Sequence, residues 1–457
     1  MKNFQLKARL SAMNFMEFAV WGAYLISMGM FLASNGLGDY VFWFYTVQGL
    51  VSILMPALIG IVADRWIPAQ RTLSLCHLLA GGFMIAAGWV AAQSLATNGT
   101  LEFGPLFTLY TLSVAFFMPT IGLSNSVAFN ALEQKGLSTV SDFPPIRVFG
   151  TVGFICAELF VNFVAIGGTT IQHSYTQFYV SGIFSIILAT YSLSLPNCPV
   201  KKDKAKRPTL ADALGLKAFT LFKRKDMAIF FIFSMLLGVS LQITNSYGST
   251  FIYHFNSVPG FQGGFWAENP TFLISISQCA EALCILMIPF CLRKFRIKGV
   301  MLIAMFAWVL RFGFFGIGNT SASGIIFLIL SCIVYGVAFD FFNVSGGLYV
   351  DSQTDPAQRS SAQGLFMLMT NGIGASIGTF IAGTCVVNKL VNVPGLTAAE
   401  QLAGWRESWL IFAAYALVVA VLFIFLFKEN KNAGHESRSD LRKDENLSTD
   451  AGGFTQE

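Results

Sequence analysis

Apolar windows of twenty residues or more recur along the whole chain, and each is long enough to cross the hydrocarbon core of a bilayer as a helix, which takes about 20 residues. Lipid offers no water to backbone N–H and C=O groups, so such a window folds as a helix that bonds to itself. The windows fall at 10–33, 41–63, 72–93, 105–129, 147–167, 175–195, 227–253, 270–291, 299–318, 324–348, 361–386 and 405–427. That makes about twelve spans, with boundaries good to a few residues. Composition agrees: 54% of the 457 residues are hydrophobic and only 12% are charged, against about 25% charged in soluble domains. The expected class is an all-α membrane protein with twelve transmembrane helices in two six-helix halves.

A basic segment at 196–226, with Lys201, Lys202, Lys204, Lys206, Arg207, Lys217, Lys223, Arg224 and Lys225, divides the spans six and six. The organisation read from this is a bundle over 1–195, a basic cytoplasmic linker over 196–226, a second bundle over 227–427 and a polar tail over 428–457, expected to be disordered. Lys and Arg precede the first span and occupy alternate connections, while the intervening ones hold none except Lys389 and Arg406 before the last span. Positive charge stays on the cytoplasmic side, so both termini are expected there. The first window has basic flanks and no small-residue cleavage site, which reads as a transmembrane helix and not a signal peptide. The net charge of +5 sits in these connections, so nothing points to nucleic acid. The eight Cys contain no CxxC pair and the four His no HExxH; the cysteines read as small hydrophobes, and no metal site is expected. No phosphate-binding GxxxxGK[ST] loop or nucleophile elbow occurs, which argues against ATP-driven transport and against an enzyme. No cofactor is expected beyond a proton gradient.

A charge at the bilayer centre costs several kcal/mol, so ionisable residues inside spans are functional candidates. Five occur: Glu17, Glu158, Glu281, Arg311 and Asp340. Four acids against one base leave some carboxylates unpaired, and an unpaired buried carboxyl is suited to carrying a proton. Arg147, Thr151, Phe154 and Glu158 are spaced 4, 3 and 4 along one helix face. Gln242 and Asn245 are three apart, as are Gln278 and Glu281; Tyr335, Phe339 and Asn343 are four apart, with Asp340 one step round. Glu17, Trp21 and Tyr24 add a stripe in the first span. Polar stripes avoid lipid, so these line a cavity or a helix contact. Amides read donor and acceptor edges, and rings stack on flat solutes. This inventory selects an uncharged, ring-shaped polar solute, and leaves open whether that is a nucleoside or a sugar. Arg311 reads as half of a structural ion pair, and His77 as a packing residue.

The halves repeat weakly: Met55-Pro56 leads into Asp64-Arg65, and Met287-Ile288-Pro289 into Arg293-Lys294. Six plus six spans around a basic central loop resembles the major facilitator superfamily. Gly60-Ile-Val-Ala-Asp64-Arg65, with Arg71 beyond, is similar to that superfamily's motif between the second and third helices, although Ile67 or Pro68 stands where a second Gly is usual. There Asp64 and Arg65 form a candidate conformational latch.

Longer runs resemble the bacterial nucleoside:proton symporter family: Asp142-Phe-Pro-Pro-Ile-Arg147 with Gly150-Thr-Val-Gly-Phe154, Met227 to Gly238, Leu241-Gln-Ile-Thr-Asn245, Ser275-Ile-Ser-Gln278, Ala338-Phe-Asp-Phe-Phe-Asn343 and Met369-Thr-Asn-Gly372. The resemblance implies a nucleoside site between the halves, with Arg147, Thr151 and Phe154 on one side and Gln242, Asn245, Gln278, Glu281, Tyr335 and Phe339 on the other. It implies hydrogen bonds from Gln242, Asn245 and Gln278, stacking by Phe154, Tyr335 and Phe339, a ribose contact from Glu281, and Asp340 or Glu281 as proton carrier. Glu17 and Glu158 depart from the family pattern and stand as further proton-coupling candidates. The implied protein is a monomeric, multi-pass importer of nucleosides with protons in a bacterial cytoplasmic membrane. Transport of a sugar or another small polar solute is the alternative.

Overall fold

The computed structural model describes residues 2–198, 216–354 and 359–428. Most of the expected linker, 199–215, and the tail from 429 onward lie outside the described residues. The architecture is helical; the sheet among the described residues is one antiparallel hairpin, β1 (Ala165–Ile166) with β2 (Thr169–Thr170). The long helices are α1 (Lys2–Gly22), continued after a turn by α2 (Met28–Leu32), then α3 (Val41–Arg65), α4 (Ala69–Asn98), α5 (Phe103–Glu133), α6 (Thr139–Phe163) and α7 (Thr176–Ser192). After the linker come α8 (Lys225–His254), α9 (Pro270–Ile317), α10 (Ile325–Gln353), α11 (Arg359–Met367) running through a π-helical stretch into α12 (Ala375–Ile381), and α13 (Ala398–Leu426).

Among the described residues, nine helical stretches are long and apolar enough to cross a membrane. The expected windows 270–291 and 299–318 share the single 48-residue helix α9, which breaks direction at Arg296 (φ 61°, ψ 174°) inside a basic patch. The window 10–33 covers the end of α1, a turn and α2.

Polar side chains inside these helices bond locally. Ser234 donates to the Phe230 carbonyl, Ser246 to Gln242 and Thr379 to Ala375, each one turn back. Helix starts carry caps: Ser138 accepts from the Ser141 amide, and Thr397 with Glu400 forms a reciprocal capping box. Glycine sets the tightest helix contacts, as close-packed membrane helices require. A Cβ on Gly22 would lie 2.5 Å from the Phe154 carbonyl oxygen, and one on Gly153 would collide with the Phe15 carbonyl. These two positions press α1 onto α6.

The helices before residue 198 and those after 216 each tie their own basic ends together. Lys7 reaches Asp142 at 2.6 Å and Gln134 donates to the Asn197 carbonyl at 2.8 Å; in the second set Lys298 donates to the Ile424 carbonyl at 3.0 Å. Hydrogen bonds between the two sets occur at the opposite, basic-poor end. Asn162 Nδ2 donates to Asn269 Oδ1 (2.8 Å), the Phe272 amide to Asn162 Oδ1 (3.1 Å), and Gln172 Nε2 to the Glu268 carbonyl (3.2 Å). Ser249 donates to the Ile26 carbonyl (2.5 Å), Ser376 to Thr46 (3.3 Å) and Asn388 to Asp39 (2.9 Å). The basic-poor end is therefore closed.

Candidate functional site

Gly150 opens the site from the α6 side. Without a Cβ there, the Arg147 guanidinium folds back over the Phe18 ring of α1, 4.0 Å from its centroid; a Cβ would lie 2.6 Å from Arg147 Nη1. Phe154, two turns along α6, meets Trp21 edge-on at 6.2 Å. Thr151 lies half-buried between them. The α6 stripe thus becomes one wall, completed by two rings from α1.

The facing wall comes from α8, α9 and α10. Asn245 Nδ2 donates to Gln242 Oε1 at 3.1 Å, so the two amides act as one unit. The Gln278 Oε1 is buried and has no partner among the described residues; the same holds for Asp340 Oδ2 and Trp21 Nε1. Tyr335 and Phe339 stack nearly parallel, 5.7 Å apart at 2°. Arg147 lies within electrostatic reach of the carboxyls of Glu281, Asp340 and Glu17, and Asp340 within reach of Glu281 and Arg147. No hydrogen bond or ion pair closes between Arg147 and these acids among the described residues. The result is a charged gap between α6 and α9–α10, floored by aromatic rings.

Beside Phe339 lies a small groove lined by Leu241, Trp308, Asn343, Thr370 and Asn371 among others. It runs between α8, α10 and the π-helical stretch, on the second-set side of the gap. Asn371 Oδ1 is buried without a partner among the described residues. Trp308, Thr370 and Phe18 carry no charge or polar spacing that the sequence could single out.

The other intramembrane charges part company. Glu17 is fully buried and points between helices: Oε2 lies 2.8 Å from His77 Nε2 of α4, and Oε1 accepts from Thr120 of α5 at 2.6 Å. His77 Nδ1 meets Ser185 of α7 at 3.0 Å, so this histidine joins four helices through one network. Arg311 makes no ion pair among the described residues, contrary to expectation. It donates to the Ser331 carbonyl at 2.9 Å and to Ser277 at 3.3 Å, and lies 4.3 Å from the centre of the Tyr335 ring. Glu158 is fully buried at the contact of α6 with α9, with no partner for either oxygen among the described residues. Arg65 ends α3, and the Asp64 side chain lies outside the described residues.

The profile of the nucleoside H+ symporter family matches residues 4–432. The chain belongs to this family. It is 43% identical over 424 residues to the xanthosine permease of Escherichia coli K12, across 92% of this chain and 96% of that one. It is 40% identical to the nucleoside permease NupG of the same organism, across 93% and 96%. The crystal structure of nucleoside transporter NupG superposes with a TM-score of 0.82 at 39% identity, covering 93% of this chain and 100% of that one. A bacterial homologue of the lysosomal transporter Spinster shares the fold, with a TM-score of 0.68 at 13% identity, covering 94% of this chain and 98% of that one. The symporter is thus a multi-pass membrane transporter and not an enzyme, as its sequence implied.

Proposed function

We propose that this symporter imports nucleosides together with protons by alternating access, its two six-helix halves rocking about the gap between α6 and α9–α10. The observation that carries the solute class is the set of buried polar atoms without partners among the described residues: Gln278 Oε1 and Asp340 Oδ2 on the wall of the paired rings Tyr335 and Phe339, and Trp21 Nε1 on the wall of Phe154. Buried polar groups are ordinarily bonded, so such a cluster is complementary to a solute that brings its own donors and acceptors. Gln242, Asn245 and Gln278 read base and sugar, Phe154, Tyr335 and Phe339 stack, Glu281 holds a ribose hydroxyl, and Arg147 with Thr151 closes the other wall. Asp340, with Glu281 as its acidic neighbour, carries the proton; the proton gradient is the only energy source in this reading.

The chain crosses the cytoplasmic membrane twelve times as a monomer, α1–α2 and α7 counting as spans and α9 as two. Both termini and the basic linker are cytoplasmic by the distribution of Lys and Arg. The closed, basic-poor end then faces outward. Asp64 and Arg65 latch the cytoplasmic ends when the carrier turns over.

Labelled uridine, adenosine and xanthosine uptake into proteoliposomes, with and without an inward proton gradient, tests the proposal. Gradient-stimulated uptake that a protonophore collapses is the expected result. Inhibition by free sugars but not by nucleosides would overturn the solute class.

A further inference from the structure

Glu158 has no role in the site as described, and its surroundings are unusual. The side chain is fully buried, and neither carboxyl oxygen has a hydrogen-bond partner among the described residues. It lies on α6 where that helix packs against α9, four residues before Asn162, which is one helical turn, about 6 Å. Asn162 is the outer tie between the halves, bonded to Asn269 and to the Phe272 amide. Glu158 is therefore sealed behind a seam that exists only while the outer end is closed.

The titratable groups that reach it are Glu281 and Cys279 of α9, with Tyr335 and Cys332 of α10. None is a cation, and Glu281 is itself an acid. Arg147, three turns away on the same helix, is turned onto Phe18. A bare carboxylate removed from water with no donor or cation beside it is among the costliest groups a fold can hold, whereas the neutral acid is not.

We propose that Glu158 is a proton-binding site of the outer seam, which α6 and α9 close over only when the carboxyl carries a proton. The proposal deepens the proton-coupled import argued above and rests on that reading. With the outer end open, the carboxyl meets external water and takes a proton from it; closure then traps the neutral acid. Release runs through Glu281, the acid that faces both Glu158 and the gap beside Arg147. External acidity thus drives closure behind a loaded solute, and Glu158 supplies a coupling step separate from Asp340.

Two measurements test this. The first needs no solute: the infrared carbonyl band of a protonated carboxylic acid, recorded on the purified, detergent-solubilised protein. Glu158→Gln should remove one such band and Glu158→Asp should retain it; identical spectra for wild type and Glu158→Gln would overturn the proposal. The second uses uridine. Glu158→Gln, which mimics the neutral acid, should keep counterflow exchange but lose gradient-driven accumulation by tenfold or more, with Glu158→Asp recovering part of it. Accumulation by Glu158→Gln with wild-type pH dependence would refute the coupling role. If wild-type protein accumulates no nucleoside, the import reading fails instead, and the infrared result still decides whether the seam acid is protonated.

Discussion

Replacing Asn162 by alanine should tip the carrier toward its outward-open form. In the closed form this side chain is fully buried, and it spans the halves twice, donating to Asn269 at 2.8 Å and accepting from the Phe272 amide at 3.1 Å. Phe272 is the third residue of α9, so its amide is one of the donors a helix start leaves unpaired. Asn162 is thus a helix cap supplied by the other half of the molecule. Each neutral hydrogen bond contributes about 0.5–1.5 kcal/mol net, and a stranded buried donor costs about 1–3 kcal/mol. When the end opens, water satisfies all three groups, so the loss falls on the closed form alone. A shift of about 2–3 kcal/mol changes the open-to-closed ratio by about 30- to 150-fold. Fluorophores on Thr169→Cys and Ser257→Cys, both at exposed positions beyond the seam, report the distance across the outer end once the exposed native Cys156, Cys279 and Cys385 are replaced. The expected result is a population at longer distance that is absent in the parent. An unchanged distance distribution, in protein that still exchanges uridine, would show that these bonds do not hold the end shut.

Three further outcomes follow from the geometry. Asp340→Asn should keep counterflow but lose accumulation, which one proton per solute could otherwise drive to about 100-fold across two pH units; concentrative uptake by this variant would remove Asp340 from coupling. Gln278→Ala removes a buried acceptor with no partner among the described residues, so the KM for uridine should rise about fivefold with maximal rate little changed, the signature of a lost neutral hydrogen bond. His173, on the outer connection ahead of α7, packs against Tyr253 with ring centres 4.6 Å apart and tilted by 37°; burial holds its pKa below the ordinary 6.5, partly offset by Glu268. A lowered value means that its contribution to closure is present above pH 6.5 and is lost as pH falls below it, so acid should loosen the outer end in wild type and less so in His173→Phe, read by the same fluorophore pair. This runs opposite to the effect of Glu158, and the two are separated by measuring Glu158→Gln in the His173→Phe background.

Much of the fold was legible because the bilayer leaves few options. Apolar windows located most helices to within a few residues, but α6 begins at the Ser138 cap and α13 at the Thr397 cap, well ahead of the windows that open at 147 and 405, because capped polar first turns carry little hydropathy signal. The window 10–33 fared no better: α1 starts at Lys2, since its polar first turns are held by contacts such as Lys7 with Asp142, which hydropathy does not register. The site stripes were legible as spacing, but spacing does not name partners. Glu17, Glu158 and Asp340 looked alike as intramembrane acids. Tertiary contacts separate them: Glu17 is bonded to His77 and Thr120, 60 and 103 residues away, Glu158 has no donor among the described residues, and Asp340 faces Arg147 and Glu281. Arg311 was misjudged for the same reason, since a serine carbonyl and the Tyr335 ring hold it where an acid was expected.

The contrast between packing within a half and packing between halves explains how such a carrier can move. Within the first half, α1 and α6 meet at Gly22 and Gly153 with backbone against backbone, a contact that tolerates no added atom and moves as a block. Between the halves, a few contacts are equally close, as at Gly29 against the Ser246 carbonyl and Phe42 on Phe380, but the outer end is also tied by amides and hydroxyls: Asn162 to Asn269, Gln172 to Glu268, Ser249 to Ile26, Asn388 to Asp39. Water replaces each of these bonds at little net cost, so the closed and open forms stay within a few kcal/mol of each other. Against so small a gap, one proton or one bound solute is sufficient to choose which end opens.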